Sequence, residues 1–435
     1  MKKIAFHTLG CKLNFSETEY IQESCLKSNY ILVKSNLISD IYVINTCSVT
    51  ENADKECKYL IRKFKKQNPL SKIIIIGCYA QLKPNEIIKI KNVDLVLSTK
   101  EKFQITKYLD ELFNENDSRV YSCNINEVKN FQTSYSINNR TRSFLKVQDG
   151  CDYKCTYCTI PMARGLSRSD TVKNILNQIN KISKSDVKEI VLTGINLGDF
   201  GKSNPNNRVR QSSLLRLVKE IEKLQNNMRF RLSSIEPDLF DKEIIDFISK
   251  SNKFVPHFHI PLQSGSNLIL RKMKRKYDTK YYQDLIYYIK NKIPFSSIGC
   301  DVIVGFPDES DEIFKETYSF LDKIDISYLH VFQFSQRNRT KASLMDNKIE
   351  KIIKINRSKI LRDLSTKKRF SFYKKNIGQT RSVLFENDNK NGFLFGYTEN
   401  YIRVKTKYDP GYRNQLINVK IDKLTNDGTI LTKIN

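Results

Sequence analysis

Short apolar runs alternate with amphipathic segments in the first part of the chain. Four of these runs predict β-strands, at Lys3–Thr8, Ile41–Asn45, Ile73–Ile76 and Val93–Ser98. Between them, Glu17–Ser28 and Ala53–Lys66 have the hydrophobic period of a helix. Alternating strands and helices predict an open parallel sheet with helices on its faces. We place this N-terminal domain at residues 1–115.

A second run of strands and helices follows a polar stretch. That stretch, Asp117–Arg142, has weak periodicity, and we interpret it as a linker. Six strands are predicted beyond it, at Phe144–Val147, Glu189–Thr193, Arg229–Ser233, Phe258–Pro261, Ile298–Val304 and Ile326–Phe332. Helical segments separate them, so the pattern predicts a partial (βα)6 barrel, which we place at residues 137–368.

The last part of the chain has the alternating hydrophobic pattern of short β-strands. After a helical segment, Ile349–Phe372, short alternating runs are separated by Asn-Gly and Asp-Gly turns. These runs lie at Thr380–Glu386, Gly392–Tyr397, Tyr401–Lys405, Leu416–Leu424 and Thr429–Ile434. They predict a small antiparallel β-barrel at residues 370–435. The predicted fold class is therefore α/β, with this barrel as a third domain.

The chain is strongly basic. The chain has 74 Lys and Arg against 47 Asp and Glu, a net charge of +27. A polyanionic partner such as RNA would explain this excess, although A/T-rich coding also enriches Lys, Ile and Asn. No apolar run reaches the ~18 residues of a membrane span, and no signal-peptide cleavage site is apparent. We expect a cytoplasmic protein, in which ten cysteines favour metal or redox chemistry over disulfides.

Three cysteines stand close together after the first predicted strand of the central domain. Cys151, Cys155 and Cys158 form a CxxxCxxC run. Thiolates suit zinc or iron–sulfur clusters. A structural zinc site needs four ligands, and none of the four histidines is spaced to supply one. The run therefore favours a 4Fe–4S cluster whose fourth iron is open to a substrate or cofactor.

A second set of three cysteines is dispersed in sequence but is predicted to meet in space. Cys11, Cys47 and Cys78 each directly follow a predicted strand of the N-terminal sheet. The loops beyond the carboxyl ends of parallel strands converge on one crevice. Four other cysteines lack ligand spacing, and we interpret them as packing or surface residues: Cys25, Cys57, Cys123 and Cys300.

The CxxxCxxC run after the first barrel strand resembles the radical S-adenosylmethionine (SAM) superfamily. This resemblance implies that the open iron binds SAM, whose reductive cleavage gives methionine and a 5′-deoxyadenosyl radical. Residues near the ends of the barrel strands are then candidates for SAM contacts. These candidates are Thr193, Gly194, Asn196, Ser234, Glu236, Gln263, Asp301 and Gly305.

The segments around the dispersed cysteines resemble the N-terminal domain of the methylthiotransferase family. They are Thr8–Asn14, Asn45–Thr50 and Gly77–Gln81. The resemblance implies that Cys11, Cys47 and Cys78 hold a second 4Fe–4S cluster that carries the sulfur to be inserted. It also implies that the last domain is a TRAM domain, an RNA-binding module. Within that domain, aromatic and cationic side chains suit stacking on unpaired bases: Arg381, Tyr397, Tyr401, Arg403 and Arg413.

Other segments most resemble the threonylcarbamoyladenosine tRNA methylthiotransferases. They are Thr8–Lys12, Phe144–Cys151, Ala163–Ser169 and Gly396–Tyr401. This resemblance implies a radical enzyme that adds a methylthio group to carbon 2 of N6-threonylcarbamoyladenosine beside the anticodon. Its partners would be the anticodon stem-loop of tRNA and a flavodoxin or ferredoxin-type reductant, with neither a membrane nor DNA involved. No catalytic residue beyond the cluster cysteines is implied.

Three alternatives stay open on the sequence alone. The same chemistry on N6-isopentenyladenosine in tRNA is one, and methylthiolation of an aspartate in a ribosomal protein is another. The third is a non-catalytic RNA-binding protein stabilised by metal, which would be colourless. Three departures from the family pattern concern the substrate pocket: Met162 replaces a usual aromatic residue, and Asp308 and Arg339 stand where glycine is usual.

Overall fold

The computed structural model describes residues 1–48, 51–113, 118–137, 141–202 and 212–434. Its first domain is a six-stranded parallel sheet in the order β2-β1-β3-β4-β5-β6. The strands are β1 (Lys3–Thr8), β2 (Ile31–Val33), β3 (Ile41–Thr46), β4 (Lys72–Gly77), β5 (Leu95–Leu97) and β6 (Arg119–Tyr121). The helices are α1 (Lys12–Lys27), α2 (Glu51–Gln67), α3 (Cys78–Leu82), α4 (Pro84–Ile87) and α5 (Ile105–Leu109).

Helices cover both faces of this sheet, which explains the nearly continuous apolar runs of β3 and β4. On one face, α2 packs Ile61 and Phe64 against the strands, and on the other α1 packs Ile21. The interpretation of Asp117–Arg142 as a linker is wrong in part, because β6 pairs in parallel with β5. This strand has only three half-buried residues, too few to produce a hydrophobic pattern.

The second domain is a curved sheet of six parallel strands with helices outside. Isolated bridges at Phe230–Phe254 and Ser234–His259 join its two halves. The strands are β8 (Arg142–Lys146), β11 (Glu189–Thr193), β12 (Arg229–Leu232), β13 (His257–His259), β14 (Ser297–Val304) and β15 (Tyr328–Gln333). Strand β7 (Ser134–Tyr135) pairs antiparallel with β8, and β9 (Gln148–Asp149) pairs with β10 (Arg168–Ser169). No pairing joins β15 to β8 within the described ranges, so the predicted partial (βα)6 barrel is confirmed.

Helices surround this barrel and enclose the largest apolar core of the chain. They are α6 (Ile160–Arg164), α7 (Val172–Ile182), α8 (Leu214–Glu222), α9 (Lys242–Ile248), α10 (Asn267–Lys272), α11 (Thr279–Lys292), α12 (Asp311–Lys323) and α13 (Lys351–Lys375). Single 3₁₀ turns occur at Glu101–Gln104, Glu111–Phe113, Ile125–Glu127, Leu197–Asp199, Pro237–Leu239, Lys341–Leu344 and Pro410–Tyr412.

The first domain packs against the barrel at strands β7 and β8. Helix α1 contacts both β7 and β8. The hydroxyls of Ser16 and Ser134 lie 3.1 Å apart, and the backbone N–H of Ile137 donates to Glu19 at 2.7 Å. Helix α1 is thereby held against β7 and β8.

The last domain is a closed five-stranded barrel, which confirms the third part of the predicted fold class. Its strands are β16 (Thr380–Lys390), β17 (Phe393–Thr398), β18 (Arg403–Lys407), β19 (Leu416–Leu424) and β20 (Ile430–Lys433). Four pairings are antiparallel, whereas β18 and β20 pair in parallel and close the barrel.

This small barrel docks on the amino-terminal end of the large one. Arg229 donates to the carbonyl oxygens of Ser382 and Tyr397 at 3.1 and 3.2 Å. The Tyr401 ring lies 4.3 Å from the His257 ring and beneath the Arg231 guanidinium. The expectation that Tyr401 stacks on unpaired bases is therefore wrong, because this ring packs against the amino-terminal end of the barrel. Among the described helices, none has the length and apolar character needed to cross a membrane.

Candidate active site

Three loops at the carboxyl edge of the N-terminal sheet bring Cys11, Cys47 and Cys78 together. Two glycines make this approach possible, since both have φ near +96°. A Cβ atom on Gly10 would lie 2.6 Å from Cβ of Cys47, and one on Gly77 would lie 2.4 Å from the Thr46 carbonyl oxygen. The convergence expected from the strand ends is therefore present in the structure.

A buried network of charges lies behind these cysteines. Glu17, on α1, accepts hydrogen bonds from Lys102 at 2.6 Å, Lys146 at 3.0 Å and Arg164 at 3.1 Å. Asp149 accepts from Arg164 at 3.0 Å. Burial alone would raise the pKa of Glu17, but the three cations hold it well below its usual value.

The network carries more positive than negative charge. Arg168 also binds Asp149, so that four cations face two carboxylates. Arg164 interacts electrostatically with both Cys78 and Cys11. Burial raises the pKa of the Cys78 thiol, and the charge of Arg164 opposes this rise, because positive charge favours the thiolate that binds metal. The network therefore suits an anionic metal centre at these three cysteines.

We predict that Glu17→Gln destabilises the contact between the first two domains. The substitution leaves Lys102, Lys146 and Arg164 buried with one carboxylate fewer, and breaking a buried ion pair in this way costs about 3–5 kcal/mol. Urea unfolding is expected to show that loss in the free energy of unfolding. The matched control is Glu23→Gln, which removes an exposed ion pair with Lys27 on the same helix. An equal effect of the two substitutions would contradict the account.

A cavity of about 260 Å³ at the carboxyl ends of the barrel strands is lined by Cys151, Cys155 and Cys158. The Cys155 sulfur accepts a hydrogen bond from Arg275 at 3.1 Å. The sulfurs of Cys151 and Cys158 each accept from a backbone N–H two residues further on, at 3.4 Å. Hydrogen bonds to sulfur are the protein's means of stabilising and tuning a thiolate-bound cluster. The donor set therefore fits an iron–sulfur centre.

The predicted SAM-contact residues divide into two groups. Ser234, Glu236, Gln263 and Asp301 line the same cavity as the cysteines. The other four, Thr193, Gly194, Asn196 and Gly305, are not among the residues that line it. Asn196 accepts a hydrogen bond from the Glu236 backbone at 3.3 Å, so it supports a lining residue from behind.

Gly305 has a different environment from the cavity-lining candidates. Its backbone N–H donates to Glu309 at 2.9 Å, and a Cβ atom there would meet the Lys354 side chain at 2.3 Å. Glu309 in turn binds Arg357 of α13. Gly305 thus connects the end of β14 to α13 at the back of the site.

Sequence reasoning missed several residues that line the cavity. Arg275 forms an ion pair with Glu236 as well as its bond to Cys155. It lies in the basic run 271–276, whose local pattern is that of a solvated helix face or a phosphate site. Tyr153 and Tyr157 lie between the cysteines of the CxxxCxxC run and line the cavity too. Their position in that run is a signal that could have identified them.

Helix α6 connects the two sets of cysteines. It begins two residues after Cys158 and ends at Arg164, whose guanidinium interacts with Cys11 and Cys78. Helix α3, which begins at Cys78, packs directly on α6. A five-residue helix is about 7.5 Å long. Both sets of cysteines therefore lie at one junction between the two domains.

Polar side chains continue from the cavity into the barrel interior. His259 and Asp301 share a hydrogen bond of 2.8 Å, and His330 lies 3.9 Å from the same carboxylate oxygen. Lys12, next to Cys11, interacts electrostatically with Asp301 and His330.

The remaining four cysteines have other surroundings. Cys25, Cys57 and Cys300 are buried in the apolar cores, and Cys123 is half-buried beside Ser98. This placement agrees with their interpretation as packing residues.

Two of the three departures from the family pattern occupy strained backbone. Asp308 has φ of +67° and Arg339 has φ of +68°, a region that glycine adopts at low cost. Hydrogen bonds of 2.6 Å from Lys272 and Asn347 hold the Asp308 carboxylate in place. Met162 and Arg339 line a separate cavity between the first two domains.

Comparison with known proteins gives two matches to family sequence patterns. Residues 3–98 match the uncharacterized protein family UPF0004, and residues 145–321 match the radical SAM superfamily. A protein of Aquifex aeolicus named threonylcarbamoyladenosine tRNA methylthiotransferase MtaB is 40% identical, across 94% of this chain and 97% of that protein. A Bacillus subtilis protein of the same name is 36% identical, across 97% and 94%.

A more distant relative has another named substrate. A Fusobacterium nucleatum protein named tRNA-2-methylthio-N(6)-dimethylallyladenosine synthase is 31% identical, across 97% of this chain and 98% of that protein. Among solved structures, the radical SAM methyltransferase TsrM of Kitasatospora setae matches with a TM-score of 0.56 and 10% identity, over 76% of this chain and 73% of that one. This last similarity concerns the fold alone.

Proposed function

Because the chain belongs to the radical-SAM methylthiotransferase family, we propose that it adds a methylthio group to carbon 2 of N6-threonylcarbamoyladenosine in tRNA. The observation that carries this proposal is the junction at α6, where two sets of three cysteines meet. A protein that only binds RNA needs no such pair of sites. The named relatives at 36–40% identity support the choice of nucleoside.

In this proposal, one 4Fe–4S cluster is held by Cys151, Cys155 and Cys158. The other is held by Cys11, Cys47 and Cys78. Three thiolates leave one iron of each cluster free to bind an exogenous ligand. When bound, the clusters and SAM supply the radical that removes hydrogen from carbon 2 and the methylthio group that replaces it. An aromatic C–H bond is too inert for ordinary acid–base catalysis, which is why such cofactors are required.

The protein's own residues hold these groups and balance their charge. Arg275 donates to the Cys155 sulfur and pairs with Glu236, so it positions the wall of the SAM cavity. Arg164 and its neighbours offset the negative charge of the dispersed thiolates. The apolar part of the cavity wall, including Ile195, Ile303 and Phe334, excludes water from the reacting carbon.

We assign SAM contacts to the predicted residues according to their position. The four that line the cavity, Ser234, Glu236, Gln263 and Asp301, touch SAM directly. The four outside the lining, Thr193, Gly194, Asn196 and Gly305, position the loops that do so.

The tRNA is bound through charge and through access to an unpaired base. The target adenosine lies in the anticodon loop, so turning it into the cavity costs little base pairing. Exposed cations of the small barrel, among them Lys407, Arg413 and Lys420, are suited to phosphates of the anticodon stem. A flavodoxin or ferredoxin-type protein would supply electrons, and the setting would be the cytoplasm.

Expression in a bacterium whose own tRNA lacks the methylthio group tests this function. Nucleosides from bulk tRNA are separated and weighed by mass spectrometry. We expect 2-methylthio-N6-threonylcarbamoyladenosine with the wild-type chain and none with Cys78→Ala. Appearance of the methylthio group on isopentenyladenosine alone would replace the proposed substrate with that of the more distant relatives.

A further inference from the structure

Exposed cations lie on the outside of the CxxxCxxC loop. Among residues 151–160, all of which the structure describes, Lys154 alone is fully exposed, and it directly precedes Cys155. Three further exposed cations, Arg271, Lys274 and Lys276, lie at the carboxyl end of α10 and directly after it. These four residues are called the basic patch below.

Short contacts join the segment 271–276 to the loop. The Thr156 hydroxyl donates to the Lys272 carbonyl oxygen at 2.9 Å, and Arg275 donates to the Cys155 sulfur at 3.1 Å. The two residues that flank Arg275 belong to the basic patch. Because adjacent Cα atoms are about 3.8 Å apart, three of the four patch residues are immediate chain neighbours of Cys155 or of the arginine bonded to its sulfur.

The charges of the basic patch are not neutralised by ion pairs. Two other cations of the same segment have acidic partners, since Lys272 pairs with Asp308 and Arg275 pairs with Glu236. In contrast, none of the four patch residues forms an ion pair with a residue that the structure describes. The surface therefore keeps its positive charge free for a partner.

The acidic side chains nearest in sequence do not cancel this charge. Asp152 accepts a hydrogen bond from Lys202 at 2.7 Å. Asp278 is exposed and caps α11 by accepting from the Tyr281 backbone N–H at 2.7 Å. Four cations thus face one exposed carboxylate in these two segments.

A helix end explains only part of the basic patch. The helix dipole favours cations at a carboxyl end, which accounts for Arg271 and Lys274 at the end of α10. It does not account for Lys154, which belongs to another segment, or for Lys276, which lies beyond the turn that ends the helix.

The other sides of the loop have different neighbours. Its inner side lines the SAM cavity. After Cys158 the chain enters α6, which packs on α3 of the first domain. The basic patch is thus an exposed approach to Cys155 that neither the cavity nor the first domain occupies.

We propose that the basic patch docks the one-electron carrier that serves the proposed cluster at Cys151, Cys155 and Cys158, and that this carrier is a flavodoxin or ferredoxin-type protein with an acidic face. One electron leaves the reduced carrier and enters the cluster, and no atom is transferred. Electron-transfer complexes are weak and bury less than about 1,200 Å², so a small charged surface suffices to form one. Opposite charges also steer the two proteins into contact. This inference rests on the proposed function, because it names the electron donor for SAM cleavage.

The test reverses three patch charges in the variant Lys154→Glu/Arg271→Glu/Lys274→Glu. Lys276 is kept, because its ammonium group lies 4.1 Å from the centre of the Tyr153 ring, which lines the cavity. The substituted side chains are exposed, so the fold and the cavity are expected to persist.

The matched control is the variant Lys181→Glu/Arg216→Glu/Lys219→Glu. It makes the same change of net charge at exposed positions on α7 and α8. It should behave as wild type in both measurements that follow, since charge in general is not what the carrier recognises.

The first measurement is the release of 5′-deoxyadenosine from SAM by each reconstituted protein. It is made with reduced flavodoxin and, separately, with excess dithionite, a small reductant that needs no docking surface. Charge steering raises association rates by about 10- to 1,000-fold, so we expect the patch variant to lose at least about tenfold of the flavodoxin-driven rate. Its dithionite-driven rate should stay within about twofold of wild type. The difference in flavodoxin-driven rate should shrink as salt rises from about 0.1 M to about 1 M, because the screening length falls from about 10 Å to about 3 Å.

The second measurement is the affinity for flavodoxin, determined by isothermal titration calorimetry, which does not depend on turnover. The patch variant should raise the Kd by at least about tenfold, whereas the control variant should not change it. The affinity for tRNA, determined by fluorescence anisotropy, should be the same for the wild-type protein and the patch variant.

Three results would overturn the inference. One is an unchanged flavodoxin-driven rate and Kd in the patch variant. Another is an equal loss with flavodoxin and dithionite, since the patch would then act on the cluster rather than on the carrier. The third is a loss of tRNA affinity with flavodoxin affinity kept, which would make the patch an RNA surface. Neither measurement depends on the nucleoside that is modified. If wild-type protein cleaves no SAM with either reductant, the proposed function fails, and calorimetry alone decides the role of the patch.

Discussion

Cys155→Ala is expected to abolish the reductive cleavage of SAM, measured as 5′-deoxyadenosine released under anaerobic conditions with dithionite. The substitution removes one of three proposed ligands and also leaves Arg275 without its sulfur acceptor. Loss of an outer-shell partner alone typically costs 10–100-fold in metal affinity or activity. Loss of a ligand should therefore reduce cleavage by more than about 100-fold.

The control for this prediction is Cys25→Ala, which alters a cysteine buried in the apolar core of the N-terminal domain. It should retain the iron content and the cleavage rate of the wild-type protein. Cleavage by the Cys155→Ala variant at more than about a tenth of the wild-type rate would show that this loop does not hold the SAM-binding cluster.

Cys47→Ala is expected to separate the two halves of the reaction. Cys47 lies against Gly10 in the N-terminal crevice, whereas the CxxxCxxC loop directly precedes α6. The variant should therefore still release 5′-deoxyadenosine, within about threefold of wild type, while formation of the methylthio nucleoside falls by more than about 100-fold. Iron analysis should show the loss of one cluster of the two.

The buried core offers a matched control for this variant. Cys57→Ala alters a cysteine of α2 that is packed among apolar side chains in the same domain. It should affect stability more than product formation. Methylthio nucleoside made by Cys47→Ala at the wild-type rate would mean that the second cluster is held elsewhere.

Much of this arrangement was predictable, because it follows from rules that act along the chain. The apolar runs at Lys3–Thr8 and Glu189–Thr193 are strands with the predicted bounds, since buried parallel strands need continuous apolar sequence. The meeting of Cys11, Cys47 and Cys78 followed from the strand ends alone. Gly10 and Gly77, which precede Cys11 and Cys78, adopt the positive φ that allows this close approach.

The parts that were not predictable depend on contacts between distant segments. Arg275 and Glu236 are 39 residues apart, and neither has a local pattern that indicates its partner. Tyr401 looked suited to RNA, but the docking of the small barrel places it against His257. Glu17 and Lys146 are 129 residues apart, and only the packing of α1 on β8 brings them together.

Methylthio transfer to N6-threonylcarbamoyladenosine by means of two clusters and SAM can be measured directly. For this measurement, the protein is reconstituted anaerobically with iron and sulfide. SAM, dithionite and tRNA that bears this nucleoside are then added. The tRNA is then digested and its nucleosides are weighed by mass spectrometry. The account predicts a 2-methylthio product that depends on both sets of cysteines. Release of 5′-deoxyadenosine with no methylthio product from this tRNA would contradict it.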